Sequence, residues 1–299
     1  LTKILVVGAG QMGAGIAQVA AQAGDAVLLN DRTQEYIDGG LLTIDKNLER
    51  AVEKGRMTNE ARQAALARIQ PQLTFENVDV DVAIEAATEN LEIKLDLFAK
   101  LDRHTPQRAI LASNTSSISI TKLAAATKRP ALVIGMHYFN PVPVMRLVEV
   151  IRGIATAQAT YDFVRELAIA HGKIPVEVRN FPGFVSNRVL CPMLNEAIFA
   201  LYEGVGSVEA IDTVMKLGMN HPMGPLELSD FIGLDTLLSI LEVLYDGFKD
   251  PKYRPCPLLR EYVDAGWLGR KAGRGFYEYA TPGGAIVARN GAGAAVGAR

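Results

Sequence analysis

Lys3 to Asp31, KILVVGAGQMGAGIAQVAAQAGDAVLLND, reads as a strand, a glycine turn, a helix and a second strand that ends in an acid. Ile4, Leu5, Val6 and Val7 form the unbroken apolar run of a strand covered on both faces. Gly8, Gly10 and Gly13 fit G-x-G-x-x-G: the first permits the tight turn, the second lets a pyrophosphate approach the backbone, and the third lets helix and strand pack closely. The turn Gly8-Ala9-Gly10-Gln11-Met12-Gly13 is therefore expected to hold a dinucleotide, with the free N–H groups of the helix N-terminus aimed at its phosphates. Met12, Ile16, Val19 or Ala20, and Ala23 recur at helical spacing, and Gly24 stops the helix where a positive φ is expected. Ala26 to Asn30 then delivers Asp31, whose carboxylate suits the ribose hydroxyls of NAD and repels a 2′-phosphate. Arg32 has two readings, a host for that phosphate or a solvated surface charge.

The 299 residues are enough for two domains with substantial cores. A formal net charge of −2 argues against a nucleic-acid binder. Cys191 and Cys256 are far apart and lack metal-ligand spacing, which predicts two reduced structural thiols, no metal and a cytoplasmic location. No apolar run approaches the roughly 18 residues needed to span a membrane. The chain enters its first strand without a signal peptide, although it starts at Leu1 and a trimmed segment is allowed for.

About forty residues separate Asp31 from the next predicted strand, where a minimal fold would need few. Tyr36–Lys54 and Asn59–Ile69 are expected to form two charged amphipathic helices joined at Gly55. Lys46, Arg50, Lys54 and Arg56 fit either a solvated face or a basic clamp for a phosphorylated substrate tail. Strands are predicted at Leu73–Phe75, Val80–Ala86, Ala109–Ala112, Leu132–Met136, Leu147–Ile151 and Ile174–Val178. Helices follow Asn90 and span Ala157–His171. Ser113-Asn114-Thr115-Ser116-Ser117 lies at the carboxyl end of a strand, where open α/β sheets place ligands, and equally fits a helix cap before Ile118.

Asn180-Phe181-Pro182-Gly183 breaks the strand-helix alternation. The sequence thus predicts an α/β Rossmann-type domain over 1–180, with a helical insertion at about 36–69, and an all-α domain over 181–279. Helices are expected at Phe184–Glu203, Val208–Leu217 and Leu226–Tyr245, apolar on more than one face and suited to a homodimer interface. Residues 280–299 are rich in glycine and alanine, without period, and are expected to be mobile.

Oxidising an alcohol to a ketone removes a hydride and a proton, and histidine suits the proton because it titrates near neutrality. His137 sits at the end of a buried strand, whereas His104, His171 and His221 lie in helix-end or turn sequence and read as surface residues or caps. Glu149, twelve residues on among Leu147, Val148, Val150 and Ile151, is placed to orient the imidazole if the two strands are neighbours.

The glycine turn, Ser113 to Ser117, His137-Tyr138-Phe139-Asn140-Pro141-Val142-Pro143, Pro182-Gly183-Phe184-Val185-Ser186-Asn187-Arg188 and Pro222 to Leu228 together resemble the L-3-hydroxyacyl-CoA dehydrogenases, especially the short-chain bacterial 3-hydroxybutyryl-CoA type. The likeness runs from about Lys3 to Tyr279. It implies catalysis by residues matching His137, Glu149, Ser116 and Asn187, with Ser116 and Asn187 on the reacting oxygen. It implies NAD contacts at Asp31, Glu89, Lys94, Ser116, Asn140 and Lys271, and contacts to an acyl-CoA substrate at Ser116, Asn47 and Lys54. Position 47 is Asn where relatives commonly carry serine. Two rival readings are a dehydrogenase of the same fold acting on a sugar or hydroxy acid without CoA, and a non-catalytic NAD-binding protein.

Overall fold

The structure, a computed structural model, describes residues 1–76 and 78–289. The chain divides into two compact units, Leu1–Phe181 and Pro182–Arg299.

The first unit runs β1 (Lys3–Val7), α1 (Gln11–Ala23), β2 (Ala26–Asn30), α2 (Gln34–Glu53), α3 (Asn59–Leu66), β3 (Ile69–Gln72), β4 (Val82–Glu85), α4 (Leu91–His104), β5 (Ile110–Ser113), α5 (Ile120–Ala125), β6 (Val133–Tyr138), β7 (Leu147–Arg152), α6 (Gln158–Ala170) and β8 (Ile174–Arg179). Among the described residues the sheet has eight strands in the order β3-β2-β1-β4-β5-β6-β7-β8. The first six positions are parallel, and β7 turns antiparallel to β6 before β8 pairs parallel with β7. A parallel return needs a crossover of a dozen or more residues, and the link over 139–146 is too short for one. Apolar residues of β1, β4, β5 and β6 meet those of α1 and α6 in one core.

Sequence and structure part at β3. The strand expected at Leu73–Phe75 lies instead at Ile69–Gln72, so the second insertion helix stops at Leu66 and Ile69 belongs to the sheet. Gln70 precedes Pro71, which biases it to extended backbone, and a proline is tolerated because β3 is an outer strand.

His171 is also a correction. It ends α6 as a cap but is buried, with Nε2 2.9 Å from Asp25 Oδ2 and Nδ1 3.1 Å from the Tyr138 hydroxyl. Burial pushes the Asp25 carboxyl up, and the hydrogen bonds from His171 and the Thr2 N–H outweigh it, leaving it below the usual carboxylate range. Periodicity reads position and cannot see a partner 146 residues away.

The second unit holds α7 (Ser186–Tyr202), α8 (Val208–Gly218), α9 (Pro225–Ile232), α10 (Leu234–Phe248), α11 (Pro257–Asp264) and a hairpin of β9 (Tyr277–Tyr279) and β10 (Ile286–Arg289) around its own core. The single helix expected over Leu226–Tyr245 is two, because Gly233 takes φ 101° and the chain turns there. Asp212 caps α9, accepting the Leu226 N–H at 2.8 Å and the Glu227 N–H at 3.0 Å. Asp230 holds the first hairpin strand, accepting the Phe276 and Tyr277 N–H groups at 2.9 Å and the Tyr279 hydroxyl at 3.0 Å. The expected mobile tail, 280–299, includes β10, whose backbone pairs antiparallel with β9, and its residues 290–299 lie outside the described residues.

Candidate active site

The glycine turn has the shape its spacing demands. Gly8 takes φ 108°, and a Cβ there would lie 2.6 Å from the Ala86 carbonyl oxygen. At Gly13 a Cβ would lie 1.7 Å from the Gly8 oxygen, so only glycine lets α1 start so close to β1. Gly10 faces open space, and as N-cap of α1 it offers no side chain to the first N–H groups. Beside it lies a cavity of about 760 Å³, bordered by Gly8, Gly10, Asp31, Ala86, Thr88 and Ile93. An uncapped helix N-terminus facing such a cleft fits a dinucleotide, whose pyrophosphate takes up the helix's free donors.

Asp31 already works inside the fold. Its Oδ2 accepts the Ala9 N–H at 2.7 Å and its Oδ1 the Arg32 N–H at 2.7 Å, which pins the turn to the end of β2. Each oxygen keeps a lone pair for a ribose hydroxyl. Arg32 lies over the Tyr36 ring, 4.8 Å from its centroid, and donates to the Tyr36 hydroxyl at 2.8 Å; both residues line the cavity. Leu73 and Phe75, displaced from the sheet, line it too.

Glu89, at the mouth of α4, binds the Thr115–Ser117 loop through one oxygen. Its Oε1 accepts the Thr115 hydroxyl at 2.6 Å, the Ser116 N–H at 3.0 Å, the Ser117 N–H at 3.1 Å, and the hydroxyls of Ser117 at 2.9 Å and Ser116 at 3.3 Å. Burial pushes its carboxyl up, but the charge of Lys94 and these hydrogen bonds hold it below the usual range. Thr115 thus does what the cap reading proposed, accepting the Ile118 N–H at 2.9 Å, while Ser116 sits on the same loop.

Lys94 is 1% exposed and pairs with Glu85 at 2.6 Å and Glu89 at 3.5 Å. Glu85 is the residue that sequence reasoning passed over. It is fully buried at the end of β4, and it also accepts the Ala87 N–H and the Ser113 hydroxyl, each at 2.7 Å. An acid closing the apolar run Val82-Ala83-Ile84, with a lysine nine residues on, was the available signal.

His137 and Glu149 face each other in the β6–β7 register, and His137 Nδ1 lies 2.7 Å from Glu149 Oε2. A carboxylate only accepts, so the proton of this contact sits on Nδ1. Both side chains are buried, and the imidazole packs on the Phe139 ring with centroids 4.6 Å apart. Asn114 Oδ1 accepts the Tyr138 N–H at 2.9 Å, tying the loop after β5 to the strand that carries His137.

Asn140 is exposed in the turn after β6, and Asn47 on α2 donates to Gln18 at 3.3 Å. Lys46, Arg50, Lys54 and Arg56 are all exposed. In the second unit, Asn187 lies in the first turn of α7, and Lys271 pairs with Asp235 at 2.5 Å. Among the described residues no His, Cys, Asp and Glu cluster has metal-ligand grouping, and no helix is long and apolar enough to cross a membrane.

Comparison with known proteins agrees with this geometry. Residues 3–181 match the 3-hydroxyacyl-CoA dehydrogenase NAD-binding domain and residues 183–279 the C-terminal domain of the same family. The chain is 59% identical over 280 residues to the probable 3-hydroxybutyryl-CoA dehydrogenase of Bacillus subtilis, covering 93% of this chain and 98% of that one. It is 56% identical to the 3-hydroxybutyryl-CoA dehydrogenase of Bradyrhizobium diazoefficiens, covering 93% and 96%. The crystal structure of (S)-3-hydroxybutyryl-CoA dehydrogenase PaaH1 from Ralstonia eutropha superposes with a TM-score of 0.92 at 50% identity, covering 94% of this chain and all of that one.

Proposed function

The chain belongs to the 3-hydroxyacyl-CoA dehydrogenase family, and from that premise we propose how its own residues carry out the reaction. It is an NAD-dependent oxidoreductase that interconverts (S)-3-hydroxyacyl-CoA and 3-ketoacyl-CoA, with the 3-hydroxybutyryl thioester as the substrate its relatives' names point to. Bound in the cleft at Gly8–Gly13, NAD supplies the hydride acceptor in one direction and NADH the donor in the other.

His137 Nε2 takes the proton of the 3-hydroxyl, or returns one to the alkoxide in the reductive direction. Glu149 fixes the tautomer through Nδ1 and stabilises the imidazolium as it forms. The Ser116 hydroxyl and the Asn187 amide hold the reacting oxygen. Asp31, Glu89, Lys94, Ser116, Asn140 and Lys271 hold the cofactor with the glycine turn. Lys54 and Asn47 meet the CoA moiety, Lys54 as a cation for its phosphates. The observation that carries this reading is the 2.7 Å His137–Glu149 contact, which supports a base that is both oriented and charge-compensated.

The chain works as a homodimer through its second unit, supported by the exposure of Val189, Val205, Leu217, Met219 and Phe231 there, and it acts in the cytoplasm. The test is NADH consumption with acetoacetyl-CoA, longer 3-ketoacyl-CoAs, free acetoacetate and gulonate, repeated with NADPH. The reading requires the CoA thioesters with NADH to be the fastest pairing. Preference for the free acids would reject the CoA assignment.

A further inference from the structure

We propose that Glu85 is a positioning residue for the cofactor, acting through Lys94 and Glu89; the inference rests on the NAD reading above. A fully buried carboxylate is costly unless it is paired and hydrogen-bonded. Glu85 meets this cost with three donors from three different segments: Lys94 of α4, the Ala87 N–H of the turn after β4, and the Ser113 hydroxyl at the end of β5. Ala86, Ala87 and Thr88 border the cofactor cavity, so this one carboxylate sets the wall on which the cofactor lies.

Its influence extends one carboxylate further. Lys94 is buried, and the other carboxylate within 4 Å of its ammonium among the described residues is Glu89, at 3.5 Å. With Glu85 in place, the ammonium is balanced and Glu89 Oε1 is left to gather the Thr115–Ser117 loop. Without the charge of Glu85, Glu89 is the counter-ion that remains for Lys94. It is drawn onto the ammonium and releases the loop that carries Ser116. Glu85 itself handles neither proton nor hydride, and its effect is on where the cofactor and Ser116 are held.

The test measures NADH affinity by fluorescence titration, with kcat and KM for acetoacetyl-CoA, on the full chain and on Glu85→Gln, Glu89→Gln and the double variant. Glu85→Gln should weaken NADH binding about tenfold or more. The double variant should bind no more than about twofold worse than the weaker single variant, because both act on one path. NADH affinity of Glu85→Gln within twofold of wild type, or losses that simply multiply in the double variant, overturns the inference. Should Glu85→Gln fail to fold, Glu85→Asp, which keeps the charge but draws the carboxylate back from Lys94, the Ala87 N–H and the Ser113 hydroxyl, takes its place; wild-type NADH affinity in that protein also overturns it. A wild-type chain that does not bind NADH removes the cofactor reading and this inference together. A wild type that binds, with a Glu85→Gln variant that binds equally, removes this inference alone.

Discussion

Glu149 stands directly across an antiparallel strand pair from His137, with 2.7 Å between its Oε2 and the imidazole Nδ1. The short link between β6 and β7 produces this facing, since it forces the chain straight back along its own edge. Replacing Glu149 by Gln keeps the shape and removes the charge, and an amide can donate to Nδ1 as readily as accept from it. Turnover of acetoacetyl-CoA should fall on the order of 10³–10⁴-fold, with the KM for NADH little changed. Steady-state kinetics check this, and turnover within threefold of wild type would remove Glu149 from the reaction.

His137→Gln should cost turnover on the order of 10²–10⁴-fold, the span typical of losing a positioned general base. NADH binding should be unaffected, because the glycine turn and Asp31 hold their geometry without the imidazole. Fluorescence titration of NADH beside the turnover assay separates the two, and a parallel loss of both would mean that His137 supports the fold rather than the chemistry.

Lys54 is exposed where α2 ends, so the basic-clamp reading is tested on binding rather than stability. An exposed charge contact is worth about 1 kcal/mol, which corresponds to roughly a fivefold rise in KM for acetoacetyl-CoA in Lys54→Ala. The KM for NADH should stay put. An equal rise for both substrates would leave Lys54 as a solvated charge.

Asp230 gives the second unit a pH signature. Burial pushes its carboxyl from 3.8 up to about 6, with the charge of Asp212 adding to the rise and the hydrogen bonds from Phe276, Tyr277 and Tyr279 opposing it. The folded form therefore holds a proton that the unfolded chain has already released between about pH 4 and pH 6. Stability attributable to this group is full below about pH 4 and falls as pH rises to about 6, by roughly 2–3 kcal/mol. Urea unfolding of wild type and Asp230→Asn across pH 4–7 should show their difference closing in that direction. Parallel curves would contradict it.

Much of this was legible because local pattern and tertiary role coincide. Ile4 to Asp31 carries its strand, turn, helix and acid in the order the fold uses them, and the apolar residues around Glu149 announced a buried strand. Where partners are distant, pattern failed. His171 looks like an ordinary helix end until Asp25 and Tyr138 are brought to its two nitrogens. Leu226 to Tyr245 keeps helical period across Gly233 on both sides, so only the backbone at that glycine reveals the break. Leu73 and Phe75 are apolar and β-prone, yet the sheet takes Ile69–Gln72 before them, and these two are spent on the cleft. Glu85 was hidden for the opposite reason, since an acid beside an apolar run reads as the strand's exposed end.

The bonds from Asp31 to the Ala9 and Arg32 amides bear on any attempt to retool coenzyme choice. Swapping the acid for a small neutral side chain would remove the repulsion toward a 2′-phosphate and, in the same stroke, unfasten the loop that must grip the pyrophosphate. A successful conversion to NADP therefore has to furnish acceptors for both amides before it adds positive charge, and an asparagine, with an NH2 donor in place of one carboxylate oxygen, serves only one of them.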